Sequence, residues 1–95
     1  MIIPEPYKKD IDIAVNILKE EGCKQVYVFG SIVRGNVNND SDIDIAVKGI
    51  KKGHFLEIYS RLFMALEHAV DLIDMSSNKD FTKHIFKTGN IIRVA

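Results

Sequence analysis

The sequence has almost no cysteine, no surplus of charge of either sign and no long apolar run, and each lack removes a class of protein. Its single cysteine, Cys23, cannot make an internal disulfide, and no paired Cys/His spacing points to zinc. Both features fit a reducing, intracellular setting, so a cytoplasmic protein is expected. Cys23 itself reads as a helix-end filler rather than a catalytic thiol. Thirteen basic and thirteen acidic side chains cancel. Direct nucleic-acid binding is therefore not expected, because binding by long-range charge needs a basic face; a local basic patch stays open. No segment has the apolar length of a signal peptide or of a bilayer span, so no membrane association is expected. Internal repeats, low-complexity tracts and linkers are also missing.

What is present suits one small domain. The 95 residues, with a hydrophobic fraction of 46%, are enough for a single domain over 1–95 and too few for two. A domain of this size buries a modest share of its surface, so its stability margin is expected to be small or shared with a partner. Pro4 and Pro6 mark an extended start, and Pro6 also suits the first turn of a helix. Ile11, Ala14, Val15 and Leu18 then follow a helical period, with Gly22 as a stop. Residues 26–29, VYVF, read as a short buried strand. The segment GSIVRGNVNNDS reads as a polar loop, and DIDIAV at 42–47 as an alternating strand. Phe55, Ile58, Tyr59, Leu62, Phe63 and Leu66 give a second helical period. AVDLID at 69–74 reads as a third strand. Ser77 to Asp80 resembles a capping box opening a helix through about Phe86. Gly89 ends that helix, and IIRV at 91–94 reads as a final short strand. Helices alternating with strands argue for a layered α/β or α+β sheet.

Asp42 and Asp44 lie two apart on the second strand and so share a face, while Ile43, Ile45 and Val47 point into the core. Two adjacent carboxylates repel, and a solvated polar strand face tolerates this as well as a bound cation does. Such oxygen ligands suit Mg²⁺, which fills its octahedron with water and substrate phosphates. The turn upstream favours the second reading. Gly30-Ser31 directly follows a buried strand, where glycine allows close approach of a phosphate and serine adds a hydroxyl. Arg34 lies one helical turn further on and adds positive charge. Gly35 lets the chain reverse, and Asn36 to Asp40 form a polar bridge back into the sheet.

Residues 30–47, GSIVRGNVNNDSDIDIAV, resemble the nucleotidyltransferase signature of Gly-Ser, ten residues, then Asp-x-Asp. The ten residues run from Ile32 to Ser41, and Arg34-Gly35 and Ser41-Asp42 also match its common form. The short length is similar to that of the minimal nucleotidyltransferases, antitoxins of HEPN/MNT toxin–antitoxin pairs in the DNA polymerase beta-like superfamily. The resemblance implies an α/β (α+β) nucleotidyltransferase fold: a small mixed β-sheet with helices mainly on one face. It also implies a third aspartate on a neighbouring strand. Asp71 and Asp74 are the candidates, and three-residue spacing sets them on opposite faces. Asp71 matches the hydrophobic-Asp-hydrophobic pattern, whereas Asp74 reads as a strand-end or turn residue.

The same resemblance implies transfer of AMP from ATP to a tyrosine of a cognate HEPN toxin, using Mg²⁺, with two ions. Asp42, Asp44 and Asp71 would be the metal ligands and catalytic carboxylates, and Gly30, Ser31 and Arg34 would bind the nucleotide. A complex with the toxin is the expected oligomer. The alternatives are an antitoxin acting by binding alone, or a transferase acting on a small molecule or a nucleic-acid end. Outside the motif, His54, His68 and His84 have no spacing for a shared metal and read as helix-surface or helix-end residues. Lys48, Lys51 and Lys52 read as a small solvated basic loop. Tyr7, Tyr27 and Tyr59 read as packing residues, and Phe55, Tyr59 and Phe63 as a core stripe.

Overall fold

The computed structural model describes residues 3–35 and 41–95. Residues 36–40, read above as a polar bridge, lie outside the described residues. The first helix, α1, spans Glu5–Glu20 with Pro6 in its first turn. Its buried stripe is Tyr7, Ile11, Ala14, Ile17 and Leu18, with one carboxylate, Asp10, inside it. Gly22 ends the helix: its N–H donates to the Lys19 carbonyl and the Cys23 N–H donates to the Leu18 carbonyl, each at 3.0 Å. This paired closure needs a left-handed residue, and Gly22 supplies it at φ 85°. Cys23 is buried beneath the helix end, the place expected of it.

Four strands follow: β1 (Gln25–Phe29), β2 (Ile43–Lys48), β3 (Val70–Asp74) and β4 (Ile91–Arg93). They form one sheet in the order β3-β2-β1-β4. β1 runs antiparallel to β2 and β4, and β2 runs parallel to β3. The parallel pair needs a crossover, which helix α3 (Phe55–Ala65) provides. Helix α4 (Lys79–Thr88) precedes the last strand.

The main core lies between one sheet face and α1 with α3. Val26, Val28, Ile43, Ile45, Val47 and Leu72 from the strands meet Ile11, Leu18, Ile58 and Leu62 from the helices. Each such aliphatic side chain stabilises the fold by roughly 1.5–3 kcal/mol. That burial holds the register of β2, because a slip of one residue would bury Asp44 and expose Ile43 and Ile45. A smaller cluster of Phe29, Ala46 and Met75 lies on the opposite face, covered by Phe81 and Ile85 of α4. The helices thus sit mainly on one face, with α4 alone on the other.

Several local expectations need correction. The segment after β1 is not all loop: Ser31–Arg34 form a one-turn helix, α2, whose Ile32 and Val33 are buried. Apolar contact with the core outweighs the turn-forming composition around them. Ser77 does not cap α4. Asn78 holds the N-cap position without a side-chain bond, and the Ser77 hydroxyl instead donates to Asp74 at 3.2 Å. Phe63 is not core but 66% exposed, because α3 turns Ile58 and Leu62 inward and Phe63 falls on the outer side.

Asp10 is the one fully buried charged residue among those described, at 1% exposure. Its carboxylate accepts from the Glu67 N–H at 3.1 Å, the His68 N–H at 2.9 Å and His68 Nδ1 at 2.8 Å. The His68 ring also packs on Tyr7, with centroids 4.3 Å apart. His68 is therefore not the helix-surface or helix-end residue expected: it lies in the loop between α3, which ends at Ala65, and β3, half-buried and bonded. Burial pushes the Asp10 carboxyl up, and the hydrogen bonds from His68 and Glu67 more than offset it, leaving it below its usual 3.8. A lowered carboxyl stabilises the native state above 3.8 and loses that effect as pH falls below it. Asp10→Ala leaves two N–H groups and an imidazole without their acceptor. It is expected to cost about 3 kcal/mol at pH 7, with the deficit shrinking below pH 3.8, as measured by urea unfolding at a series of pH values.

Candidate active site

The candidate residues meet where β1 ends and β2 and β3 begin. Gly30 leaves β1 as the N-cap of α2, Ser31 is the first residue of that helix and Arg34 the last. Gly35 closes the turn in the left-handed conformation. Asp42 is exposed, one residue before β2, and Asp44 is half-buried at the second position of the strand. Alternation puts Asp44 on the face opposite Ile43 and Ile45, towards α4.

The pairing of β2 with β3 sets the third carboxylate. Asp44 lies opposite Asp71 in the parallel register, and Val47 lies opposite Asp74. Strands pair about 4.8 Å apart, so Asp44 and Asp71 stand side by side on one face. Asp74 is occupied elsewhere: its carboxylate accepts from the Ser76 N–H at 3.0 Å and the Ser77 hydroxyl. It is a turn residue at the far end of β3. The structure therefore brings Asp44 and Asp71 together, with Asp42 and Arg34 within electrostatic reach. The three carboxylates repel one another, and among the described residues they stop short of a converged three-ligand cluster.

Gly30 is fitted to this corner in two ways. Its backbone, at φ 78° and ψ −145°, lies in a region that only glycine adopts readily. A Cβ built there would overlap Asp44 Oδ2 and approach Asp44 Cγ at 3.1 Å. The first half of the glycine–serine motif thus touches the second half of the aspartate pair, although fourteen positions separate Gly30 from Asp44.

Burial, the Asp71 charge and the Asp42 charge together push the Asp44 carboxyl up to about 6, and Arg34 offsets part of this. A raised carboxyl binds its proton more tightly in the native state than in the unfolded chain. Its ionisation therefore costs stability as pH rises from 3.8 through about 6. The donor set is hard oxygen at a site of crowded negative charge, which fits a divalent cation such as Mg²⁺.

The motif, its place on the sheet and the strand order now meet in one pattern. A family model for polymerase beta nucleotidyltransferases matches residues 15–94. The chain belongs to this family. Solved structures agree with that nucleotidyltransferase membership. A toxin–antitoxin with AMP-PNP is 32% identical at a TM-score of 0.60, covering 72% of this chain and 58% of that one. This chain therefore spans little more than half the length of that relative. A minimal nucleotidyltransferase is 26% identical at a TM-score of 0.71, covering 93% of this chain and 92% of that one. A variant of the toxin–antitoxin MntA-HpeT is 26% identical at a TM-score of 0.71, covering 90% and 71%. No protein with a curated function matches the sequence.

One residue that shapes the nucleotidyltransferase corner, Asp10, was not singled out from sequence, and its partner His68 was read only as a helix-surface or helix-end residue. Asp10 and His68 hold the segment 67–68 that leads into β3 and hence to Asp71. The signal was there for Asp10: a carboxylate one position before Ile11 within a buried helical stripe needs a partner. Nothing near it in sequence indicated His68.

Two outcomes check the geometry. Gly30→Ala is expected to cost about 1–3 kcal/mol through backbone strain and to displace the Asp44 carboxylate. Thermal unfolding and Mn²⁺ titration should show both a lower Tm and weaker metal binding; unchanged Mn²⁺ affinity would contradict the contact. Asp44→Asn removes a charge that is costly only when ionised. Discounted for solvent screening, it should stabilise the metal-free protein by about 1 kcal/mol at pH 8, a rise of about 4–8 °C in Tm. At pH 4 the gain should vanish.

Proposed function

We propose that this chain is an antitoxin nucleotidyltransferase that transfers AMP from ATP to a tyrosine of a partner HEPN toxin. The observation that carries the reading is the register pairing of Asp44 with Asp71, beside Gly30, in a polymerase beta nucleotidyltransferase fold. The acceptor is argued from the relatives: two of the similar solved structures are toxin–antitoxin complexes, one with AMP-PNP.

Asp42, Asp44 and Asp71 would hold the divalent ions, two in this reading. When bound, such ions neutralise the triphosphate and stabilise charge on the attacking and leaving oxygens of an in-line displacement. The remaining work belongs to the chain. Gly30 has no side chain, which leaves the Asp44 carboxylate its place against the backbone at this corner. The Ser31 hydroxyl donates a hydrogen bond to a phosphate oxygen, and Arg34 adds positive charge at the same edge. The tyrosine oxygen forms a bond to the α-phosphorus as the bond to the pyrophosphate oxygen breaks. The tyrosine proton passes to the Asp71 carboxylate, the most exposed of the strand-borne pair and so open to an incoming acceptor. Adenylylation removes the hydroxyl and adds a bulky anion, which masks that tyrosine in the toxin.

Purified chain, ATP, Mg²⁺ and the co-encoded partner should yield a partner heavier by AMP in intact-protein mass spectrometry. Asp42→Ala and Asp44→Ala should each lower the rate by at least about a hundredfold while leaving complex formation intact. An unmodified partner together with absent Mg²⁺ binding would sink the enzymatic reading. Protection by a double Asp→Ala variant would favour neutralisation by binding alone.

A further inference from the structure

A second feature lies at the other end of the same sheet face. Lys48 ends β2 four positions beyond Asp44, a separation of about 13 Å along a strand. There a groove of about 590 Å³ opens between the sheet and α4. Tyr27, Met75 and Phe86 contribute its apolar lining, and Lys48, Lys79 and Lys83 its charge. The volume is within the range of small-ligand sites, roughly 300–1,000 Å³.

Three properties make this groove more than a gap beside a helix. Lys79, Lys83 and Phe86 fall at i, i+4 and i+7, so one face of α4 carries them all, while Phe81 and Ile85 anchor the helix to the sheet. The Phe86 ring meets Tyr27 edge-on with centroids 5.3 Å apart, and it remains 45% exposed. The Tyr27 hydroxyl is held by Gln25 at 2.8 Å, which fixes the ring beneath it. Among the described residues no carboxylate forms an ion pair with any of the three lysines; the ion pairs there join Lys9, His54, Arg61 and His68 to Glu67, Glu57, Glu20, Glu21 and Asp10. Asp74, at the end of β3, is engaged by Ser76 and Ser77. A neutral chain thus carries its crowded carboxylates at one end of this face and unpaired ammonium groups at the other.

We propose that this groove binds a nucleoside monophosphate unit, with the base stacked on Phe86 and the phosphate among Lys48, Lys79 and Lys83. An aromatic face beside positive charge matches a planar base carrying a phosphate. A carboxylate-rich peptide would satisfy the lysines and leave the exposed ring without a planar partner. A free nucleotide and a nucleotide within single-stranded RNA share this chemistry. The site is independent of the transfer reaction proposed above and needs no metal.

The test is a titration of the whole chain in EDTA, followed by amide NMR. The probes are AMP, a five-nucleotide oligo(A) RNA, pyrophosphate and polyglutamate. AMP should shift the amides of Tyr27, Thr82 and Phe86, and the shifts should persist in Asp44→Asn. Phe86→Leu, which keeps apolar packing and removes the stacking face, should weaken AMP binding about tenfold. Lys79→Gln with Lys83→Gln should flatten its salt dependence. Tighter binding of the oligonucleotide than of AMP would assign the site to an RNA strand, and the reverse to a free nucleotide; either supports the groove. The proposal is overturned if pyrophosphate or polyglutamate binds as tightly as AMP, if the shifts vanish in Asp44→Asn, or if Phe86→Leu changes nothing.

Discussion

Burial of Ile43, Ile45 and Val47 beneath α1 and α3 holds β2 in register, and the chemistry of this chain depends on that register. Period-two alternation turns Asp44 to the opposite face once its apolar neighbours are committed to the core. The same strand pairs on one side with β1, which ends at Gly30, and on the other with β3, which carries Asp71. A slip of one residue would therefore undo the core and scatter the polar groups together. Apolar burial and site geometry are not separate features here, because one set of strand pairings decides both.

The cost of this arrangement is concentrated at Asp44. Its carboxyl is crowded by Asp71 and Asp42 and partly desolvated, which pushes it up to about 6. Asp10 shows the opposite case. It is more deeply buried, yet two backbone N–H groups and His68 hold its carboxyl below the usual value. Burial alone does not decide the sign for a carboxyl group; the partners do. Asp10 is fully partnered within the chain and acts as a staple between α1 and the entry to β3. Asp44 faces like charges, which is the condition in which a cation is most strongly attracted.

Much of the fold was legible because its signals are local. The helical period around Ile11 and Leu18, the stop at Gly22, and the strands at 26–29, 42–47 and 69–74 all follow from spacing and turn chemistry, and the observed elements differ from them by a residue or so at the ends. Two of the misreadings share one cause. The composition around Ser31–Arg34 is that of a loop, but contact of Ile32 and Val33 with the core makes it a helical turn. Phe63 fits an aromatic stripe in one dimension, yet the angle at which α3 packs leaves it outside. In both cases the deciding partner is distant in sequence.

The candidate site divides in the same way. By itself the sequence determined that Gly30-Ser31 and Asp42/Asp44 are separated by a family-specific spacing; it put both aspartates on the second strand, whereas Asp42 stands one residue before it and only Asp44 is on it. Spacing alone left Asp71 and Asp74 as alternatives, because it shows only that they face opposite ways, and the family pattern was what favoured Asp71. The tertiary structure decided that Asp71 stands beside Asp44, that Asp74 is spent on a turn, and that Gly30 touches the Asp44 carboxylate. Those are facts of strand register and close packing between distant segments, which exist only once the chain has closed its loops and buried its core.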